Sequence, residues 1–408
     1  MIKIHNQVNK TVALVFDCIG KMIFYSGSFF GLWGIKANKP AEINPRKILV
    51  VEEEPLGDVI TSTPVFIALK HKFRFARISV ITNVTGSRIL NNNPYIDEII
   101  VEECPWTYSK QINLLQMVNH LRYLKHYLKL IYILKKERFD LGIELRGDIR
   151  NIILFLFLPN IKYTLSYDRT GGAYLLNEAV PFDISQHIIK RKTNLLKRIG
   201  IEKADTKMQI YYSPEDFKKR EDIFRRYGMK ENDFFTIIHP GASQKNRWWF
   251  PERYVEVANF VRKKYGGCII LTGTKEELSL TEKISNLMKV NDKTVNLCAK
   301  LTIAEVAALL EKAGLLICPD TGIMHLACAF STPTVAIFGP GDINISGPHQ
   351  RNVCIVQKKC SCERPCYLRN CKRKINGISA CMGMIGVDEV IGAITCLLEN
   401  TKKNTGTG

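Results

Sequence analysis

The stretch Leu315–Asp342, LLICPDTGIMHLACAFSTPTVAIFGPGD, decides the fold. A short continuous apolar run ends at Cys318-Pro319, and Asp320-Thr321-Gly322 then opens a helix. After Pro333 a second apolar run, TVAIF, follows. Apolar run, turn, helix and apolar run are what a buried parallel strand, its crossover helix and the next strand require.

The alternation continues outward. FFTIIHPGAS reads as a strand entering a loop of small residues, FPERYVEVANFVRKKYGG as a helix closed by glycines, and CIILTGTKEE as a strand with its loop. LSLTEKISNLM and TIAEVAALLEKAG read as helices on either side of TVNLCAK. Far upstream, KILVVEEEPLGD puts a strand at Ile48–Val51 before a loop holding Pro55 and Gly57. TSTPVFIALKHKF follows with helical spacing, and Pro64 is expected in its first turn. ARISVITN, EIIVEE and FDLGIEL read as strands, and RGDIRNIILFLFL as a helix.

The expected fold is therefore α/β: two Rossmann-like doubly wound domains facing a cleft. Residues 46–213 form the first domain and 214–400 the second. Residues 1–45 form an apolar N-terminal extension and linker, and 401–408 a disordered tail.

Composition narrows the class. The 408 residues are 46% hydrophobic and 24% charged, which excludes wholesale disorder, a collagen-like fibre and a disulfide miniprotein. Lys and Arg number 58 against 39 Asp and Glu, a net charge of +19 that asks for an anionic partner. Nucleic acid, an anionic membrane and a phosphorylated substrate all satisfy it. Of 13 cysteines, seven lie after residue 350; an odd total in a long chain fits reduced thiols.

Residues 11–37 are strongly apolar, interrupted by Asp17 and Lys21. Their longest charge-free stretch, Met22–Ile35, has 14 residues, whereas a spanning helix needs about 20. Aromatic residues beside lysines suit a helix lying in the headgroup region; a docking helix, a span and a signal are the other readings. Residues 110–138 read as an amphipathic basic helix, either packed on the sheet with a solvated face or touching a membrane.

No GxGxxG follows a strand, and no GxxxxGK[ST], HExxH or GxSxG occurs. Three other signals carry chemistry. Asp58, after Leu56-Gly57 at the end of the first strand, suits a general base or a helix cap. His239-Pro-Gly-Ala-Ser243, followed by Lys245 and Arg247, suits an anion site or an ordinary basic loop. Asp320-Thr321-Gly322, with His325 one turn along, suits either a pyrophosphate grip by free N–H groups or a plain N-cap. His325 reads equally as a buried structural histidine.

The order and spacing of these segments resemble glycosyltransferase family 9, the heptosyltransferases of lipopolysaccharide core synthesis. The resemblance runs from Lys47 to about Cys396. It implies a GT-B fold, with acceptor bound mainly by the first domain and nucleotide-sugar by the second. It makes Asp58 the catalytic base. Ser243, Lys245 and Arg247 fall near the donor phosphates, Arg247 standing where the family usually has lysine. Glu277, with Glu276 as the alternative, matches the acid that contacts the donor nucleoside. Asp320, Thr321, Gly322 and His325 match the donor-site motif.

The expected activity is inverting, metal-independent heptosyl transfer from ADP-heptose to a lipopolysaccharide core or related glycan, without a cofactor. The expected partners are an anionic glycolipid acceptor and the inner-membrane surface, not nucleic acid. The expected location is cytoplasmic, peripheral to that membrane. A different sugar or acceptor on the same fold, or a noncatalytic membrane-associated scaffold, are the alternatives. The cysteine-rich segment CSCERPCYLRNCKRKINGISAC lacks clean zinc spacing; it reads as structural thiols or disulfides, with a structural metal as the alternative.

Overall fold

A computed structural model describes residues 17, 21–22, 43–106, 117–288, 293–366 and 371–405. The chain forms two compact units, Met1–Lys207 and Met208–Gly408.

The first unit is built on six parallel strands: β1 (Lys47–Glu52), β2 (Arg77–Thr82), β3 (Glu98–Val101), β4 (Leu141–Glu144), β5 (Tyr163–Tyr167) and β6 (Glu178–Val180). Their order is β3-β2-β1-β4-β5-β6. Ile48 of β1 lies between Ile78 and Leu141 in register. The strand order reverses at β1 and β4, which leaves a crevice outside their carboxyl ends. Four helices matter here: α1 (Leu56–Lys72), α2 (Val84–Leu90), α3 (Met117–Glu137) and α4 (Ile188–Leu195). Tyr127, Leu130 and Leu134 of α3 pack with Leu49, Val51 and Phe155 into one apolar core.

Pro64 departs from expectation. It lies inside α1, which begins at Leu56 directly after Pro55. A proline there deprives the Ile60 carbonyl of its N–H donor. The Thr63 hydroxyl takes that place, donating to the Ile60 carbonyl at 2.9 Å. Thr61 and Ser62 donate likewise to Asp58 and Val59. The TST run preceding the proline thus lets the helix continue through it. Residues Ile152–Phe157 form a wide π turn rather than a regular α-helix.

The second unit repeats the plan with β7 (Phe235–Ile238), β8 (Cys268–Leu271), β9 (Thr294–Asn296), β10 (Leu315–Pro319), β11 (Thr334–Phe338) and β12 (Val353–Gln357). The order is β12-β11-β10-β7-β8-β9, so the reversal falls at β7 and β10. The helices are α5 (Pro214–Arg226), α6 (Pro251–Tyr265), α7 (Leu278–Leu287), α8 (Ile303–Lys312), α9 (Gly322–Ala329) and α10 (Val387–Thr405). The last runs to Thr405, into the tail expected to be disordered, so helix rather than coil occupies 401–405.

Of the apolar extension, only Asp17, Lys21 and Met22 are described. Asp17 is buried; its Oδ1 accepts from the Gly172 N–H at 2.7 Å, and its Oδ2 pairs with Lys21 at 2.9 Å. The charge-free stretch 23–35, and with it the choice among anchor, docking helix and span, lies outside the described residues. No described helix is long and apolar enough to cross a membrane.

Candidate active site

In the first unit, the switch-point crevice is lined with charge. β1 ends in Glu52, and the chain runs through Glu53, Glu54 and Pro55 into the first turn of α1, where Asp58 sits. Asp58 does not cap a neighbouring helix; it lies inside α1's own first turn, where a carboxylate meets the positive helix end. Burial first, and the Glu54 charge second, push the Asp58 carboxyl up to about 6; Lys192, Arg146 and Arg191 pull against them. A carboxylate tuned to that range is ionised at neutral pH yet basic enough to accept a proton.

Beside it is a buried cation. Lys192 of α4, its side chain 2% exposed, sends its ammonium to Glu52 Oε2 at 2.8 Å and to the Asp58 backbone carbonyl at 2.6 Å. Glu54 Oε2 lies 3.4 Å away. Arg146, just past β4, places Nε 3.5 Å from Glu54 Oε1. Burial opposes charge on Lys192, but Glu52, Glu54 and Asp58 together raise its proton affinity.

In the second unit, two loops meet at the β7–β10 reversal. Arg247 Nη1 donates to the Asp320 carbonyl at 3.1 Å and lies 3.3 Å from Asp320 Oδ2. Burial raises the Asp320 proton affinity, against the pull of Arg247. The Trp248 indole N–H donates to the Ala242 carbonyl at 2.9 Å and pins the small-residue loop. Lys245 is exposed, with Nζ 5.4 Å from the centre of the Trp248 ring; Ser243 is exposed as well.

Thr321 is the N-cap of α9 by position, but its side chain makes no capping hydrogen bond. His325 is buried one turn further along.

Glu277 is buried, and its Oε2 accepts the Thr274 N–H at 2.7 Å in a capping box. Its carboxylate lies against the His239–Ser243 loop: a Cβ added at Gly241 would come within 2.1 Å of Glu277 Cδ. His239 Nε2 is 3.8 Å from Glu277 Oε2, and burial lowers the His239 proton affinity. The structure therefore joins Arg247 to Asp320 and Glu277 to the 239–243 loop. Asp58 belongs to the other unit.

Sequence reasoning missed Glu52, Glu54, Arg146 and Lys192. The acidic run at the end of an apolar strand was one available signal. The other was Lys192 itself, which occupies an apolar position in the pattern Ile188, Ile189, Lys192, Leu195, Leu196.

The cysteine-rich segment lines a cavity of about 320 Å³ in the second unit, with Cys360, Cys362, Cys366, Cys371 and Cys381 on its wall. The described cysteines are free thiols, so the disulfide reading finds no support there. Among the described residues, no group of three His, Cys, Asp or Glu side chains stands ready to hold a metal.

Each of the two units is thus a doubly wound parallel sheet with charged loops at its switch point. The profile of glycosyltransferase family 9 (heptosyltransferase) matches residues 127–375. The chain belongs to that family and is a glycosyltransferase. It is 25% identical over 304 residues to lipopolysaccharide heptosyltransferase 3 of Escherichia coli K12, covering 73% of this chain and 83% of that one. Among solved structures, the family 9 glycosyl transferase from Veillonella parvula DSM 2008 superposes with a TM-score of 0.75 at 21% identity, covering 89% of this chain and 100% of the other. E. coli heptosyltransferase WaaC with ADP-2-deoxy-2-fluoro heptose gives a TM-score of 0.58 at 16% identity, covering 77% and 93%. The fold is thus GT-B in type.

Proposed function

We propose that this glycosyltransferase moves a heptose from ADP-heptose to a lipopolysaccharide core or related glycan, with inversion and without a metal. The observation that carries the reading is the Arg247–Asp320 pair beside the uncapped start of α9. Fixed positive charge beside free N–H groups is the chemistry that stabilises a departing diphosphate. The names and bound donor analogue of the relatives supply the sugar and acceptor class.

The domain roles follow: residues 46–213 take the acceptor and 214–400 the donor. Asp58 removes the proton from the acceptor hydroxyl, whose oxygen attacks the anomeric carbon from the face opposite ADP. That in-line displacement inverts the centre. Lys245, Arg247, Ser243 and the N–H groups from Thr321 and Gly322 meet the charge gathering on the departing diphosphate. Cationic side chains and amides do this work without a bridging cation. Glu277 holds the nucleoside, and Asp320 and His325 shape the donor turn.

The acceptor is an anionic glycolipid, so the enzyme works at the cytoplasmic face of the inner membrane. The basic, partly apolar outer side of α3 supports that placement. There Lys125, Lys129 and Lys136 accompany Leu128, Tyr132 and Ile133.

The test is calorimetric binding of ADP, GDP, UDP and CMP to the full chain. Preference for ADP supports heptosyl transfer. Preference for another nucleotide replaces the sugar, and tight RNA binding without any nucleotide effect replaces the enzyme reading.

A further inference from the structure

The charged cluster at the end of β1 has a feature that sheet building does not need. Lys192 is buried; its ammonium donates to Glu52 Oε2 at 2.8 Å and to the Asp58 carbonyl at 2.6 Å, and Glu54 Oε2 lies 3.4 Å away. A buried ammonium is costly, and apolar residues usually fill such a place at least as well. Here an apolar residue would be in pattern, since Lys192 interrupts the inward face of α4.

The acceptors all belong to the segment that carries Asp58. Glu52 closes β1, Glu54 lies in the connecting loop and Asp58 opens α1. One cation therefore ties the strand end, the loop and the helix start together.

We propose that Lys192 is a positioning residue for Asp58, fixing the backbone turn that presents its carboxylate and countering the negative charge of Glu54 beside it. This rests on Asp58 being the base. It adds a residue from α4, a helix remote in sequence from every motif of the site.

The surrounding charges make the proposal quantitative in sign. From α4, Lys192 and Arg191 favour the ionised form of Asp58; from the loop after β4, so does Arg146. From the β1–α1 loop, Glu54 opposes it. Glu52 is the remaining acid. Burial first raises its proton affinity to about 8, which Lys192 holds down. Removing Lys192 must make Asp58 harder to ionise; removing the Glu54 charge must make it easier.

The experiment is carbon NMR of the full-length protein with labelled aspartate. The Asp58 carboxyl is identified by its loss in Asp58→Asn and titrated in wild type, Lys192→Met, Lys192→Arg and Glu54→Gln. ADP-heptose turnover on lipopolysaccharide core is followed against pH in parallel. Lys192→Met should shift the Asp58 midpoint up by roughly one pH unit. It should cut kcat/KM by up to roughly tenfold below pH 6, with much of the loss recovered at pH 9. Lys192→Arg should restore most of the midpoint, and Glu54→Gln should lower it.

An unmoved Asp58 midpoint in folded Lys192→Met, with any loss of turnover equal at every pH, would overturn the proposal. Should Lys192→Met not fold, Glu54→Gln decides: a midpoint that stays or rises overturns it. Asp58→Asn keeps the two readings apart. Turnover surviving there removes the base. Turnover lost there, with unmoved midpoints in the other variants, leaves the base and removes the role of Lys192.

Discussion

The Arg247 guanidinium holds both the backbone carbonyl of Asp320, at 3.1 Å, and its carboxylate, at 3.3 Å. The pair joins the loop after β7 to the turn before α9, the two segments facing the strand reversal. The loops are also tightly fitted, since a Cβ added at Gly341 would stand 2.3 Å from Asp320 Oδ2. Asp320 thus has little room to follow a displaced arginine.

From this pair comes a prediction about donor affinity. A charge-assisted hydrogen bond to phosphate contributes about 1.5–3 kcal/mol, so Arg247→Ala should weaken ADP binding roughly 10–100-fold. Asp320→Asn, which leaves the arginine without its charged anchor, should cost about tenfold by the same reasoning. Arg247→Lys keeps the charge but loses the planar guanidinium that reaches Asp320, and should fall between them. Calorimetry with ADP measures all three. Equal affinity in wild type and Arg247→Ala would take this pair out of the donor site.

The two sheets were legible because parallel strands buried on both faces announce themselves as apolar runs. Leu315–Pro319 and Thr334–Phe338 are such runs, and both were found. No element was read between 159 and 213, where β5 carries the polar Thr164 and Ser166, and β6 is only three residues long. Lys192 was hidden for the same reason. Charge at an inward position reads from sequence as surface, and only the fold shows that Glu52 and Glu54 wait for it. Pro64 misled because its helix-breaking effect is cancelled by the Thr63 hydroxyl, a compensation that spacing does not reveal. The candidate donor residues rest on resemblance, and only the fold joins Arg247 to Asp320 and sets Glu277 against Gly241.

A second prediction concerns stability against pH. Glu53 is buried, with no cation paired to its carboxyl among the described residues; burial outweighs its hydrogen bonds with Cys104. Burial raises its proton affinity from 4.5 to about 8. The folded protein therefore binds this proton more tightly than the unfolded chain does. The resulting stabilisation is complete below 4.5 and is lost as pH rises through about 8. Glu53→Gln mimics the protonated form and should make Tm fall less steeply between pH 6 and 9, while matching or exceeding wild type at the alkaline end. Thermal denaturation across that range decides. An unchanged slope would mean that Glu53 is ionised in the folded protein.

The outer side of α3 yields the last prediction. Lys125, Lys129, Lys135 and Lys136 are exposed, and between them stand Leu128 at 58%, Tyr132 at 67% and Ile133 at 43% exposure. Spacings of three and four residues put these side chains on one side of the helix, while Tyr127, Leu130 and Leu134 are buried on the other. No Asp or Glu occurs between Glu103 and Glu137 to offset the charge. A lysine near an anionic bilayer contributes about 1 kcal/mol. Changing all four to glutamine should therefore weaken sedimentation with phosphatidylglycerol vesicles by roughly 100-fold or more. Tyr132→Ser with Leu128→Ser should weaken it less and leave its salt dependence intact, since apolar insertion is not screened. Neutral phosphatidylcholine vesicles should bind poorly throughout. If the four-lysine variant sediments as wild type does, α3 is a solvated face, and the membrane contact must be sought elsewhere in the chain.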